Sequence, residues 1–196
     1  MKDSTRHYGL ISRSLHWGLA LLIIVQFSLI FAFTWLVPET GGEHEAHEHE
    51  TAGLHATLMM LHQSIGVLIL LFGLILLVWR FTQPKPSLQD DPPWQRLSAR
   101  IVHLALYAIV IAQPVFGLLM VTAHGQAVPF FGLFSIPAFI RLGEEAGSVL
   151  GALHAFTGWW IVLIALAIHL IGSLYHHFVR KDDVLKRMWR GRPDTQ

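Results

Sequence analysis

Four long apolar runs separated by polar segments dominate the sequence, at about residues 15–37, 57–79, 99–122 and 149–178. A helix needs about 20 mostly apolar residues to cross a bilayer, and each run reaches that length. The pattern therefore predicts an all-α integral membrane protein, a four-helix bundle in which residues 1–196 form one four-span domain.

The basic residues indicate how these spans are oriented. They precede the first run, separate the second from the third and follow the fourth, whereas Arg141 is the only one in the other two loops. By the positive-inside rule both termini are cytoplasmic, which in a bacterium means a multi-pass protein of the inner membrane. The outer loop between the third and fourth spans is rich in Phe, Leu and Ile, which predicts a short interfacial helix there.

The composition narrows the chemistry. The 196 residues are 53% apolar and 14% charged, with a net charge of +1. We therefore expect lipid rather than nucleic acid around the chain. Cysteine is absent, which excludes disulfides, thiolate-held iron–sulfur clusters and covalent c-type haem attachment.

One face of the fourth run carries imidazoles among residues with almost no side chain. At about 100° per residue, seven residues share a sector about 60° wide: His154, His169 and His176 with Gly151, Gly158, Ala165 and Gly172. A flat macrocycle can lie against such a face, and imidazole is a common axial ligand of haem iron. The alternative is close helix packing with histidines that hydrogen-bond across it.

Histidines on the other runs lie at matching depths. His62 on the second run pairs with His154 near the outer surface, and His16 on the first pairs with His169 near the inner surface. The spacing predicts two haems stacked across the bilayer. His103 on the third run is the alternative ligand for the inner haem. Proton relay is a competing use of buried histidines, but the four runs contain no acidic residue.

Several motifs together resemble one family. They are SLHW on the first run, LHQSIG on the second, HLALY and QPVFGL on the third, and the closing H-x14-H-x6-HH-F-x-x-KD. The chain thereby resembles the bacterial branch of the cytochrome b-561 family. The resemblance implies four helices that hold two b-type haems between histidine pairs, with His16, His62, His154 and His169 as the ligands. It also implies electron transfer from a periplasmic donor, with superoxide the leading candidate, to the ubiquinone pool.

Polar residues near the predicted inner haem are candidates for a second role. Arg80, His176 and His177 could bind the quinone or neutralise haem propionates. For Arg80 the alternative is simple anchoring at the membrane interface.

The first outer loop, GGEHEAHEHE, alternates histidine with glutamate. His44, His47 and His49 supply ligands suited to a divalent metal such as Zn²⁺, Cu²⁺ or Ni²⁺. Most such tracts are solvated loops, which is the alternative. Its negative charge would also repel a superoxide anion.

Three functions are compatible with these patterns. The first is a stand-alone oxidoreductase of superoxide:ubiquinone type, with a small-molecule or protein electron donor. The second is the membrane-anchoring cytochrome b subunit of a larger dehydrogenase or hydrogenase. The third is a metal transporter or sensor built on the His/Glu loop. A homo-oligomer and a soluble redox partner both remain open.

Overall fold

The computed structural model describes residues 2–4, 7–36, 45–84 and 92–190, with the backbone alone described at residues 36 and 45–51. Within these ranges the chain is mostly helical. The helices are α1 (Leu10–Phe31), α2 (Glu45–Thr82), α3 (Pro93–Ala123), α4 (Glu144–Phe156), α5 (Leu163–Leu174) and α6 (Val184–Trp189). Wider π-helical turns continue α1 over Ala32–Leu36, join α4 to α5 over Thr157–Val162 and extend α5 over Tyr175–Arg180.

Four of these helical runs are long and apolar enough to cross a membrane: Leu10–Trp35, Ala52–Thr82, Pro93–Ala123 and Glu144–Arg180. Large apolar side chains are exposed on all four, for example Leu21, Leu74, Leu104 and Ile171. Lipid-facing helices carry such side chains because the hydrocarbon core holds no water. The predicted all-α membrane fold with four spanning helices is confirmed.

The predicted loop before the second span is partly wrong, since α2 already begins at Glu45. The segment from Glu45 to Glu50 contains three glutamates and an alanine, which are strong helix formers. Helix propensity therefore extends α2 beyond the apolar run that marks the span.

The predicted interfacial helix between the third and fourth spans is also wrong. Strands β1 (Val128–Phe130) and β2 (Phe134–Ile136) pair antiparallel there, with Val128 opposite Ile136. Phe131 and Gly132 both have positive φ, at 50° and 72°, which a helix does not allow. The Ser64 hydroxyl of α2 accepts a hydrogen bond from the Phe131 amide at 2.8 Å and so anchors this hairpin.

The chain divides into two compact units. Unit 1 comprises Met1–Leu19, Phe72–Gln113 and Ala155–Gln196, and unit 2 comprises Ala20–Leu71 and Pro114–His154. In unit 1 the Trp79 indole of α2 donates a hydrogen bond to Ser12 of α1 at 2.8 Å. In unit 2 the core includes Ile65, Val121 and Val128. Each unit contains one group of the predicted ligand histidines.

Candidate functional site

In unit 2 the structure brings together His62 of α2 and His154 of α4. Their ring centres are 6.1 Å apart and their planes are nearly perpendicular, at 85°. Gly117 of α3 lies against the His154 ring, because a Cβ built there would lie 3.1 Å from its Cε1. The glycine therefore makes room for the imidazole, a contact that was not predicted from the sequence.

Gln26 of α1 is the polar neighbour of His62. Its amide nitrogen donates to the His62 carbonyl oxygen at 3.1 Å and lies 3.4 Å from the ring nitrogen Nε2. Nδ1 of His62 and Oε1 of Gln26 are buried without a hydrogen-bond partner among the described residues. Gln26 was not predicted from the sequence, although a lone amide within an apolar span is a recognisable signal.

In unit 1 three histidines meet. His16 of α1 and His169 of α5 have ring centres 6.2 Å apart, with the planes at 52°. His103 of α3 is closer to His169, at 5.4 Å and 75°. The His103 Nδ1 lies 2.7 Å from the carbonyl oxygen of Ala99, one turn earlier in its own helix. Nδ1 of His16 is buried and has no hydrogen-bond partner within the described ranges.

Both units fit a metal ion held between two imidazoles. Two imidazoles that bind one ion through a single nitrogen each, at about 2 Å, have ring centres about 6 Å apart. The separations of 6.1 Å for His62–His154 and 6.2 Å for His16–His169 match this value. Each pair also includes one buried ring nitrogen, at His16 and at His62, that has no hydrogen-bond partner in the part of the chain that the structure describes. This state is costly unless a further group binds there. The donor set suits haem iron.

Arg80 lies at one end of unit 1 within a polar cluster. Its Nη1 is 3.8 Å from a carboxylate oxygen of Asp3, and its guanidinium lies 5.8 Å from the centre of the Tyr8 ring. The Asp3 carboxylate is fully buried and accepts hydrogen bonds from the Gly9 amide at 2.7 Å and the Ser12 hydroxyl at 2.8 Å. Nη1 of Arg80 is buried and forms no hydrogen bond with any described residue. It therefore remains available to an anionic or carbonyl group.

Tyr8 is a further member of this cluster. Burial raises the pKa of the Tyr8 phenol, and the nearby Arg80 charge opposes that rise. The phenol therefore stays protonated and can donate a hydrogen bond at neutral pH. Neither Asp3 nor Tyr8 was predicted, because both precede the first span and their partner lies far along the chain.

His176 and His177 have different surroundings. His176 Nδ1 lies 2.6 Å from a carboxylate oxygen of Asp182. The His177 ring instead packs edge-on against Phe178, with ring centres 4.7 Å apart. The sequence gives no reason to distinguish these adjacent histidines. In the structure His176 contacts a carboxylate, whereas His177 contacts an aromatic ring.

The other predicted metal site is not described by the structure. His44 lies outside the described residues, and His47 and His49 are in the first turns of α2, where only the backbone is described. Among the described residues no group of three His, Asp or Glu side chains could hold a metal ion.

Unit 2 has an open depression that includes Arg141, the one basic residue that the sequence places in the two outer loops. Arg141 and His124 line this depression, of about 350 Å³, together with Ala123, Gly125 and Gly143. Nδ1 of His124 lies 2.7 Å from the Met120 carbonyl oxygen, and its ring packs closely on Gly147 of α4. A cationic side chain beside an imidazole suits a small anion.

Comparison with known proteins agrees with this geometry. Residues 7–191 match the family described as prokaryotic cytochrome b561. The chain belongs to this family. The prokaryotic cytochromes b561 are membrane proteins of electron transfer that bind b-type haem, so haem is the group that the histidine pairs fit.

Three relatives illustrate the range of this cytochrome b561 family. Cytochrome b561 homolog 2 of Escherichia coli strain K12 is 35% identical over 95% of this chain and 93% of its own length. Probable superoxide oxidase CybB of Yersinia pestis is 24% identical over 93% of this chain and 96% of its own. Cytochrome b562 of Cereibacter sphaeroides is 27% identical over 94% and 96%.

Proposed function

We propose that this cytochrome b561 is a single-domain, di-haem oxidoreductase that transfers electrons across the bacterial inner membrane from a periplasmic donor to ubiquinone. The observation that carries the proposal is the presence of two imidazole pairs, one in each unit, at 6.1 Å and 6.2 Å. Two such pairs provide for two haems, one for each side of the membrane.

In this proposal His62 and His154 hold the outer haem, and His16 and His169 hold the inner one. His103 is the less suitable inner ligand, because its ring centre is only 5.4 Å from that of His169. That distance is shorter than two imidazoles on one iron would have. We assign His103 a place beside the inner haem.

Two histidines on each haem would decide the type of chemistry. A haem held by such a pair would supply one-electron relay, because its iron would have no position left for a substrate. The chain's own residues then bind and orient what lies at its edges. The Arg80 guanidinium, with its unsatisfied Nη1, and the neutral Tyr8 phenol offer donors to a propionate or to a quinone carbonyl.

Superoxide is the proposed donor. Two superoxide anions give two O₂ and two electrons, and ubiquinone takes those two electrons with two protons to become ubiquinol. The Arg141–His124 depression supports an anionic donor because it offers positive charge in unit 2, which holds the outer pair. One relative, 24% identical, bears the name probable superoxide oxidase.

The proposed orientation has both termini in the cytoplasm, as the positive-inside rule indicates. His62 and His154 then lie toward the periplasm. Arg80, His176 and His177 lie toward the cytoplasm, where ubiquinone would be reduced.

A stopped-flow experiment tests this function. Purified oxidised protein is mixed with superoxide, and the haem spectrum is followed before and after a soluble ubiquinone is added. We expect reduction by superoxide and then re-oxidation by the quinone. R141Q should slow the reduction by superoxide several-fold and should leave the re-oxidation by quinone unchanged. In wild type, added salt should also slow the reduction by superoxide, because it screens the attraction between Arg141 and the anion. Lack of reduction by superoxide, with copurification of a soluble subunit, would instead support the membrane-anchoring subunit.

A further inference from the structure

A half-buried contact between a histidine and a carboxylate lies at the end of the last spanning helix. His176 lies in the π-helical stretch Tyr175–Arg180, and Lys181, at a φ of 55°, then reverses the chain. The reversal brings Asp182 back, so that its amide donates to the His176 carbonyl oxygen at 3.2 Å. Its carboxylate lies 2.6 Å from His176 Nδ1.

Neighbouring charges hold the carboxylate in place. Arg180 Nε is 3.4 Å from the same oxygen of Asp182, and Arg180 also donates to the neutral Gln95 side chain of α3 at 2.7 Å. From α6, Lys186 pairs with Asp183 at 3.1 Å, so that second carboxylate is engaged elsewhere. Asp182 is therefore fixed between one guanidinium and one imidazole.

His176 lies in the last turns of the spanning segment Glu144–Arg180, and Asp182 lies just beyond it. The Asp182 side chain is 28% exposed, so this carboxylate can link His176 to the water outside the membrane. His176 follows His169 by seven residues, which is about two helical turns and about 10 Å. Seven residues at about 100° each return close to the same face, so His176 follows the proposed haem ligand on its side of the helix.

From this geometry we propose that His176, oriented by Asp182, is the proton donor to the quinone that the inner haem reduces. The proposal rests on the function proposed above. A carboxylate that accepts the Nδ1 proton fixes the tautomer and leaves Nε2 to give and regain a proton. Quinone reduction consumes two protons with its two electrons. His176 delivers them in turn and is recharged from solvent between transfers.

The test compares two oxidants. Protein reduced anaerobically with dithionite is mixed either with a soluble ubiquinone, which takes up protons, or with ferricyanide, which does not. We expect H176A to slow re-oxidation by quinone about 100-fold, in the range of general acid catalysis. Its re-oxidation by ferricyanide and its haem content should equal those of wild type. Added imidazole should restore the quinone rate of H176A.

Asp182 and Asp183 provide a matched comparison. D182N should slow the quinone reaction about tenfold, and D183N, which alters the carboxylate paired with Lys186, should not change it. If H176A loses haem, H176Q takes the place of H176A in the test, because the glutamine amide can still donate a hydrogen bond to Asp182.

Three results would overturn the proton-donor role while the proposed function stands. The first is an H176A rate of re-oxidation by quinone equal to that of wild type. The second is a slow H176A rate that imidazole does not restore. The third is a loss of the quinone rate in H177A and not in H176A. Wild-type protein that quinone does not re-oxidise at all would overturn both proposals together.

Discussion

The two histidine groups of this cytochrome b561 differ in what surrounds them. In unit 2, His62 and His154 are accompanied by an amide, Gln26, and by a glycine that clears space for the ring. In unit 1, a third imidazole joins the pair, and Arg80 lies beside the buried carboxylate of Asp3. The second group thus has ionisable neighbours among the described residues, which the quinone chemistry proposed for unit 1 would require.

This difference also makes the potential of a haem in unit 1 sensitive to two side chains. A positive charge near a haem stabilises its reduced form, and burial makes the effect stronger. Arg80 is mostly buried and lies 3.8 Å from the fully buried Asp3 carboxylate, which opposes its charge. Removal of either partner should therefore shift that potential, and the two shifts should have opposite signs.

Removal of single ligands gives the largest expected effect. H154A should lose one of two haem equivalents by pyridine haemochrome assay and retain the haem of unit 1, while H169A should lose that haem and retain the other. H16A should behave as H169A does, whereas H103A should retain both haems because its ring spacing is too short for shared ligation. If H103A loses a haem and H16A does not, the two inner assignments must be exchanged.

Charge changes in the Arg80 cluster should give an intermediate effect. R80Q should lower the potential of the haem in unit 1 by about 60 mV, a tenfold change in its one-electron equilibrium. D3N should raise the same potential, because it removes the opposing charge. A redox titration followed in the visible spectrum measures both haems at once, so the haem of unit 2 serves as the internal control. Equal shifts of the two potentials would contradict the difference between the units.

The sequence predicted the four spanning helices because apolar length alone decides whether a helix crosses a bilayer. It also predicted which histidines lie near one another, since the rise per residue along each helix is fixed. It could not predict the contacts of Gln26, Asp3 or Tyr8, which depend on how separate helices meet. The hairpin of strands Val128–Phe130 and Phe134–Ile136 was not predicted, because the apolar content of this segment also fits an interfacial helix. The signal for the turn is Gly132, with prolines at positions 129 and 137.

Substitution of a glycine gives the smallest expected effect. In G117A the new Cβ would lie 3.1 Å from Cε1 of His154, so the ring must move by a few tenths of an ångström. We expect both haems to be retained, with a small change in the spectrum and potential of the haem in unit 2, because a displaced ligand binds iron less well. G53A is the matched control, since a Cβ at that position of α2 meets no atom within 4 Å. Both variants should leave the haem of unit 1 unaltered. A change in G53A as large as that in G117A would mean that glycine replacement in these helices acts through the backbone, and not through the ring that Gly117 accommodates.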